Sequence, residues 1–192
     1  MSSIKEKAVK IYAKYVVWRT KKWSLNPIKT QEKVFKNLLK KGKKTVFGQE
    51  HSFHNITNHG EFSSLVPIRD YEKIKEYIDQ IVDGKKNVLW PGKPIYFAKT
   101  SGTTSGEKHI PITKESMPFH IKGSIDATMH YINETSKTEF LNKKIIFLQG
   151  SPVLKTKKSI KTGRLSGIVA HYTPAFLRKN TMPSWKTNCI EN

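Results

Sequence analysis

Residues 100–113 read Thr-Ser-Gly-Thr-Thr-Ser-Gly-Glu-Lys-His-Ile-Pro-Ile-Thr and carry the densest chemistry in this chain of 192 residues. Gly102 and Gly106 permit positive φ and close approach of the backbone to a ligand. Thr100, Ser101, Thr103, Thr104 and Ser105 each offer a short O–H donor, and Lys108 offers one cation. Exposed N–H groups, hydroxyls and a point charge together form a cradle for a polyphosphate. The pattern is not that of a nucleoside-triphosphatase P-loop. That loop needs four residues between its glycines, then Lys followed by Ser or Thr. Here three residues separate Gly102 from Gly106, Glu107 precedes Lys108, and His109 follows it. The dinucleotide-binding fingerprint fails on glycine spacing as well. The competing reading is a solvent-exposed Ser/Gly connection of the kind found in linkers. A strand-like run before the segment and a helix start after it favour the anion cradle.

The elements that position the segment follow from periodicity. Residues 4–22 read as an amphipathic helix with Ile4, Ala8, Ile11, Tyr15 and Trp18 on the face expected to dock. Lysines surround that face, so lying on a membrane is the alternative. Asn26 and Pro27 start a second helix, whose stripe is Val34, Phe35, Leu38 and Leu39 and whose stop is Gly42. Residues 45–48 read as a short turn. Asp70 begins a helix through Val82 that Gly84 ends. Ile95–Ala98 reads as a buried strand entering the glycine segment. Thr113 is the expected cap of a helix from Lys114 to Asn133, with Pro118 tolerated in its first turn. Lys144–Gln149 reads as an interior strand, which implies a right-handed βαβ crossover, and Ile168–Ala170 as a third strand. His51, His54 and His59 lack the spacing and the companion cysteines of a metal site, and read as hydrogen-bonded or surface histidines.

The net charge is +20, but only Arg19, Arg69, Arg164 and Arg178 are arginines among 35 basic residues. Arginine is the residue suited to base-edge and bidentate phosphate recognition. The dispersed lysines therefore read as a compositional habit of the source genome, and a basic nucleic-acid-binding module without catalytic activity is the alternative reading. Cys189 is the single cysteine, so no internal disulfide forms. No secretory signal and no bilayer-spanning run is visible, and a cytoplasmic location without stable membrane insertion is expected. The turn-rich end at Asn192 reads as a chain cut short, the front part of a longer protein. The division expected is 1–92 as an amino-terminal helical region and 93–192 as the start of an α/β nucleotide-binding domain.

The run Thr100–Gly106, then Lys108, then Ile110-Pro-Ile-Thr113, resembles the phosphate-loop signature of the adenylate-forming superfamily. It is most similar to that of the auxin-responsive acyl-acid amido synthetases and their bacterial relatives. Residues 45–48, Val66-Pro-Ile-Arg-Asp-Tyr71, Val88-Leu-Trp-Pro-Gly92 and Phe97–Thr100 extend the resemblance, which spans Gln31 to Ala170. It implies an α/β fold in which amino-terminal helices lead into a mixed, partly parallel sheet with flanking helices, an incomplete portion of the larger fold. It also implies a ligase that uses ATP and Mg²⁺ to activate a carboxylic acid as an acyl-adenylate and then passes it to an amine such as an amino acid. Carried over by position, Thr100, Ser101, Gly102, Thr103, Thr104, Ser105 and Gly106 hold the phosphates, and Lys108 offsets charge on the departing pyrophosphate. The resemblance assigns His109 no role.

Overall fold

The computed structural model describes residues 3–100 and 107–190. Helices α1 (Ser3–Ser24) and α2 (Pro27–Gly42) are followed by the short α3 (Val46–Glu50), then α4 (His59–Leu65) and α5 (Tyr71–Val82). Strands β1 (Tyr96–Thr100) and β2 (Lys108–Ile112) precede α6 (Met117–Thr135). A 3₁₀ turn (Glu139–Asn142) leads to β3 (Ile145–Ile146), β4 (Lys155–Lys157) and β5 (Ile160–Arg164). The chain continues through α7 (Leu165–Ala170), α8 (Ala175–Arg178), β6 (Thr181–Met182) and α9 (Trp185–Asn188). The fold is mixed α/β, and its residues fall into two units. One holds 27–113 and 155–162; the other holds 1–26, 114–154 and 163–192.

In the 27–113/155–162 unit the helix signals act as the sequence suggests. The Asp70 carboxylate accepts the Lys73 N–H at 2.9 Å, capping α5. Gly84 ends that helix at φ +98°, in the left-handed region open to glycine. Tyr77, Ile78 and Ile81 on one face of α5 form a core with Val88, Phe97 and Ile160. The buried Tyr77 hydroxyl donates to Glu50 at 2.5 Å, and burial together with that carboxylate pushes it up to about 12. Residues 45–48, expected as a turn, instead open α3. Thr45 Oγ1 donates to the Gly42 carbonyl at 2.7 Å and accepts from the Gly48 N–H at 3.0 Å, so one hydroxyl closes α2 and caps α3. The sheet of this unit runs β2-β1-β5-β4, with β1/β2 and β4/β5 antiparallel.

In the other unit α1 packs on α6 through Ala13, Val16, Met129 and Ile132. Asp126 of α6 receives a two-pronged bond from Arg19 of α1, at 2.8 and 2.7 Å. The docked face of α1 is not the one expected. Ile4, Ile11, Tyr15 and Trp18 point outward, and the smaller Ala13 and Val16 are fully buried. Small residues allow the two helix axes to approach closely, which the large ones would prevent. Three further expectations are corrected. Lys144–Gln149 pairs only over Ile145–Ile146, parallel to β6, with Ile146 and Leu148 exposed. This strand is not in the sheet of β1, so no βαβ crossover links them. Ile168–Ala170 belongs to helix α7 rather than to a strand.

Candidate functional site

The glycine-rich segment joins two strands of one antiparallel ladder, not a strand to a helix. Thr100 and Lys108 face each other at the end of that ladder, and Tyr96 to Thr100 pair in order with Ile112 to Lys108. Ser101, Gly102, Thr103, Thr104, Ser105 and Gly106 lie outside the described residues. Pro111 falls inside β2, where its missing N–H is harmless because β2 is the edge of the sheet. The chain is still in the strand at Ile112, so the next helix begins at Met117 and not directly after Thr113.

Charges gather at the neck of this hairpin. The Lys99 ammonium meets Glu107 Oε1 at 2.5 Å, and this bond holds the Glu107 carboxyl below its usual range. Lys157 of β4 also lowers it. The Lys108 ammonium lies 5.4 Å from the centre of the Tyr71 ring. A half-buried cation–π contact of that kind is worth about 1–2 kcal/mol. That is too little to hold Lys108 away from a highly charged phosphate. The Tyr71 hydroxyl accepts the His109 backbone N–H at 2.8 Å, tying the first residue of α5 to β2. With three lysines against one carboxylate, the neck is net cationic and suited to an anion.

His109 is buried on β2, edge-on to Phe97 at 5.7 Å and 84°. Its Nε2 has no hydrogen-bond partner. Glu107 Oε2 stands 3.7 Å from it, an ion pair only if the imidazole is charged. Burial above all, then Lys157, pushes the imidazole below its ordinary value, and Glu107 opposes this only partly. The ring is therefore neutral at pH 7 and the contact is not a salt bridge.

The sequence named Thr100 and Lys108, and the structure sets them opposite one another. It missed Lys99, Glu107, Lys157 and Tyr71. Lys99 and Glu107 flank the motif and were legible in principle, because a hairpin reading places them near each other. Lys157 and Tyr71 arrive through tertiary contacts alone. The single carboxylate at the neck is committed to Lys99, so the described residues do not fit a Mg²⁺ site, which calls for carboxylate oxygens. His51 donates Nδ1–H to the Phe47 carbonyl at 2.8 Å and accepts at Nε2 from Arg69 at 2.9 Å. Among the described residues no group of three metal-binding side chains occurs.

The unit containing α6 has its own cavity of about 570 Å³, lined in part by Ile125, Met129, Phe140, Leu177 and Trp185. The Arg178 guanidinium reaches this lining and lies 5.4 Å from the centre of the Trp185 ring.

Comparison with known proteins gives a consistent result. The profile of the GH3 family N-terminal domain matches residues 19–191. A jasmonoyl–L-amino acid synthetase, JAR6 of Nicotiana attenuata, is 29% identical over 173 residues, covering 84% of this chain and 27% of its own. The indole-3-acetic acid-amido synthetase GH3.4 of Arabidopsis thaliana is 31% identical over 91 residues, covering 47% of this chain and 15% of its own. Among solved structures, the AtGH3.15 acyl acid amido synthetase in complex with 2,4-DB superposes with a TM-score of 0.65 at 20% identity. It covers 83% of this chain and 28% of that one. At that identity the superposition establishes the fold. The chain spans about a quarter of the length of the first relative and less of the second.

Proposed function

The chain belongs to the GH3 family, and from that membership we propose that it is the phosphate-binding front part of an ATP-dependent ligase. That ligase joins a carboxylic acid to an amine such as an amino acid. A carboxylate oxygen attacks the α-phosphorus of ATP, the bond from that phosphorus to the β-bridging oxygen breaks, and pyrophosphate leaves. The amine nitrogen then attacks the acyl carbonyl, the bond to AMP breaks, and the amine gives up a proton.

The difficulty of the first step is an anion approaching an anion. Donors and cations already in place lower that barrier because they need no reorganisation as charge moves to the leaving group. On this reading Thr100, Ser101, Gly102, Thr103, Thr104, Ser105 and Gly106 hold the β- and γ-phosphates. Lys108 leaves the Tyr71 ring to neutralise the departing pyrophosphate. Lys99 stays paired with Glu107 and braces the neck. Mg²⁺ bound to ATP would neutralise part of the phosphate charge, a contribution the described residues do not hold in place. The unpaired Cys189 fits a reducing cytoplasmic setting.

The observation that carries the proposal is the pairing of Thr100 with Lys108 across the mouth of a cationic hairpin. ATP–pyrophosphate exchange with a panel of carboxylic acids tests it. In a polypeptide of the relatives' length carrying this sequence, Lys108→Ala slows exchange by roughly 10- to 1000-fold, the scale of losing one transition-state donor. Unchanged exchange in that variant removes Lys108 from the role. The 192-residue chain alone gives no exchange, and robust turnover by it would overturn the assignment to a front part.

A further inference from the structure

Helix α1 has two apolar faces, and among the described residues only one is packed. Val9, Ala13 and Val16 pack against α6. On the opposite side Ile4 and Ile11 are 80% and 68% exposed, and Tyr15 and Trp18 51% and 57%. The aromatic rings form a continuous strip: Tyr12 and Tyr15 lie 6.3 Å apart between centres, and Tyr15 and Trp18 6.0 Å. Lys5, Lys7, Lys14, Lys21 and Lys22 stand exposed along the same helix, and Lys22 reaches over the Trp18 ring at 5.2 Å. Lys10 is paired with Glu6, and that glutamate is the helix's one carboxylate. The strip from Ile4 to Trp18 precedes residue 19, where the match to the family domain starts. Among the described residues no helix is long and apolar enough to cross a membrane.

We propose that the outer face of α1 docks on an anionic lipid surface. Ile4, Ile11, Tyr15 and Trp18 enter the headgroup boundary, and the flanking lysines contact the anionic groups. Charge selects this occupant. A second copy seated on the face by two-fold symmetry would bring one row of lysines against another, whereas an anionic bilayer complements both the lysines and the apolar strip. Aromatic rings with one wet edge suit the interface. Each lysine near such a surface strengthens binding about fivefold, which converts the usual 1 kcal/mol per basic residue.

The test is co-sedimentation of a polypeptide of the relatives' length that carries this sequence with phosphatidylcholine vesicles, with and without phosphatidylglycerol, so that an outer face covered by the rest of the polypeptide shows as no binding. Binding is expected only to the anionic vesicles and is expected to weaken with salt. The triple variant Ile11→Ser/Tyr15→Ser/Trp18→Ser is expected to lose at least about tenfold in binding, because a basic helix without its apolar face adsorbs only loosely. Vesicles also shift tryptophan emission to the blue, and Trp18→Phe, which leaves the packing on α6 untouched, loses that shift. Three results overturn the proposal. The wild type can fail to bind anionic vesicles or bind neutral ones equally. The triple variant can bind undiminished, which assigns adsorption to lysines elsewhere. Light scattering can show a dimer that the triple variant dissolves, which assigns the face to a second copy.

Discussion

Replacing His109 by leucine separates the role of a buried neutral imidazole from that of a charged phosphate ligand. The ring is 6% exposed, its Nε2 lacks a partner, and its backbone N–H bonds to Tyr71 independently of the side chain. Leaving a buried polar atom unpaired costs about 1–3 kcal/mol, which leucine removes. The edge-to-face contact with Phe97, worth about 0.5–1.5 kcal/mol, is lost. The two changes nearly offset, so His109→Leu is expected to fall within about 1 kcal/mol of the wild type, or to be more stable, near neutral pH.

The pH dependence is the sharper test. The folded imidazole is pushed below its ordinary value, by burial first and then by Lys157. The stability this group contributes is fully present above the unfolded value of about 6.5 and is lost as pH falls toward the folded value. In that window the unfolded chain takes up a proton that the folded chain refuses, and wild-type stability falls by up to about 1.4 kcal/mol per pH unit. His109→Leu lacks that loss. Urea unfolding of both chains at about pH 7.5 and about pH 5.5 should show the variant gaining on the wild type toward acid, with the remaining histidines cancelling in the difference. A variant more than about 2 kcal/mol weaker at the higher pH, or two chains whose stabilities fall in parallel, would refute the reasoning.

Two further perturbations test the packing around the site and at the helix pair. A Cβ on Gly48 would lie 2.1 Å from the Gly42 carbonyl oxygen, which is backbone and cannot swing aside. Gly48→Ala is expected to destabilise by about 1–3 kcal/mol in urea unfolding, and a change under about 0.5 kcal/mol would show that α3 moves freely away from the end of α2. The Arg19–Asp126 pair is two-pronged and its side chains are 27% exposed on each side. A double-mutant cycle through Arg19→Ala and Asp126→Ala should return a coupling of about 0.5–1 kcal/mol that shrinks with salt. Zero coupling would leave the α1–α6 contact to Ala13, Val16 and their apolar partners.

The elements read correctly from sequence were those whose ends carry their own chemistry. Helix α5 has Asp70 as a side-chain cap and Gly84 at positive φ, and α2 begins at Pro27 and ends at Gly42. Where the end signal was absent or misleading, tertiary contacts decided. Residues 108–112 read as part of the glycine-rich connection but form β2, where Pro111 is tolerated because an edge strand leaves one side of its backbone without a ladder partner. The run Lys144–Gln149 reads as an interior strand, yet it pairs over two residues only. In α1 the sequence supplied two apolar faces, and residue size alone favoured the wrong one. Close approach of α6 selected Ala13 and Val16, because small side chains let the helices meet.

The site divides along the same line. Glycines, hydroxyls and Lys108 advertise anion binding locally, through backbone freedom and donor count, so those residue types were legible. The protonation state of His109 is not a local property. It depends on burial beneath the sheet and on a lysine delivered by a separate strand, β4, so the residue that the motif left without a role acquires one only in three dimensions. A neutral imidazole supplies no charge to a phosphate. Lys108, held only by the Tyr71 ring, can move toward the ligand, while Lys99 remains tied to Glu107 and burial, aided by Lys157, keeps the His109 ring uncharged.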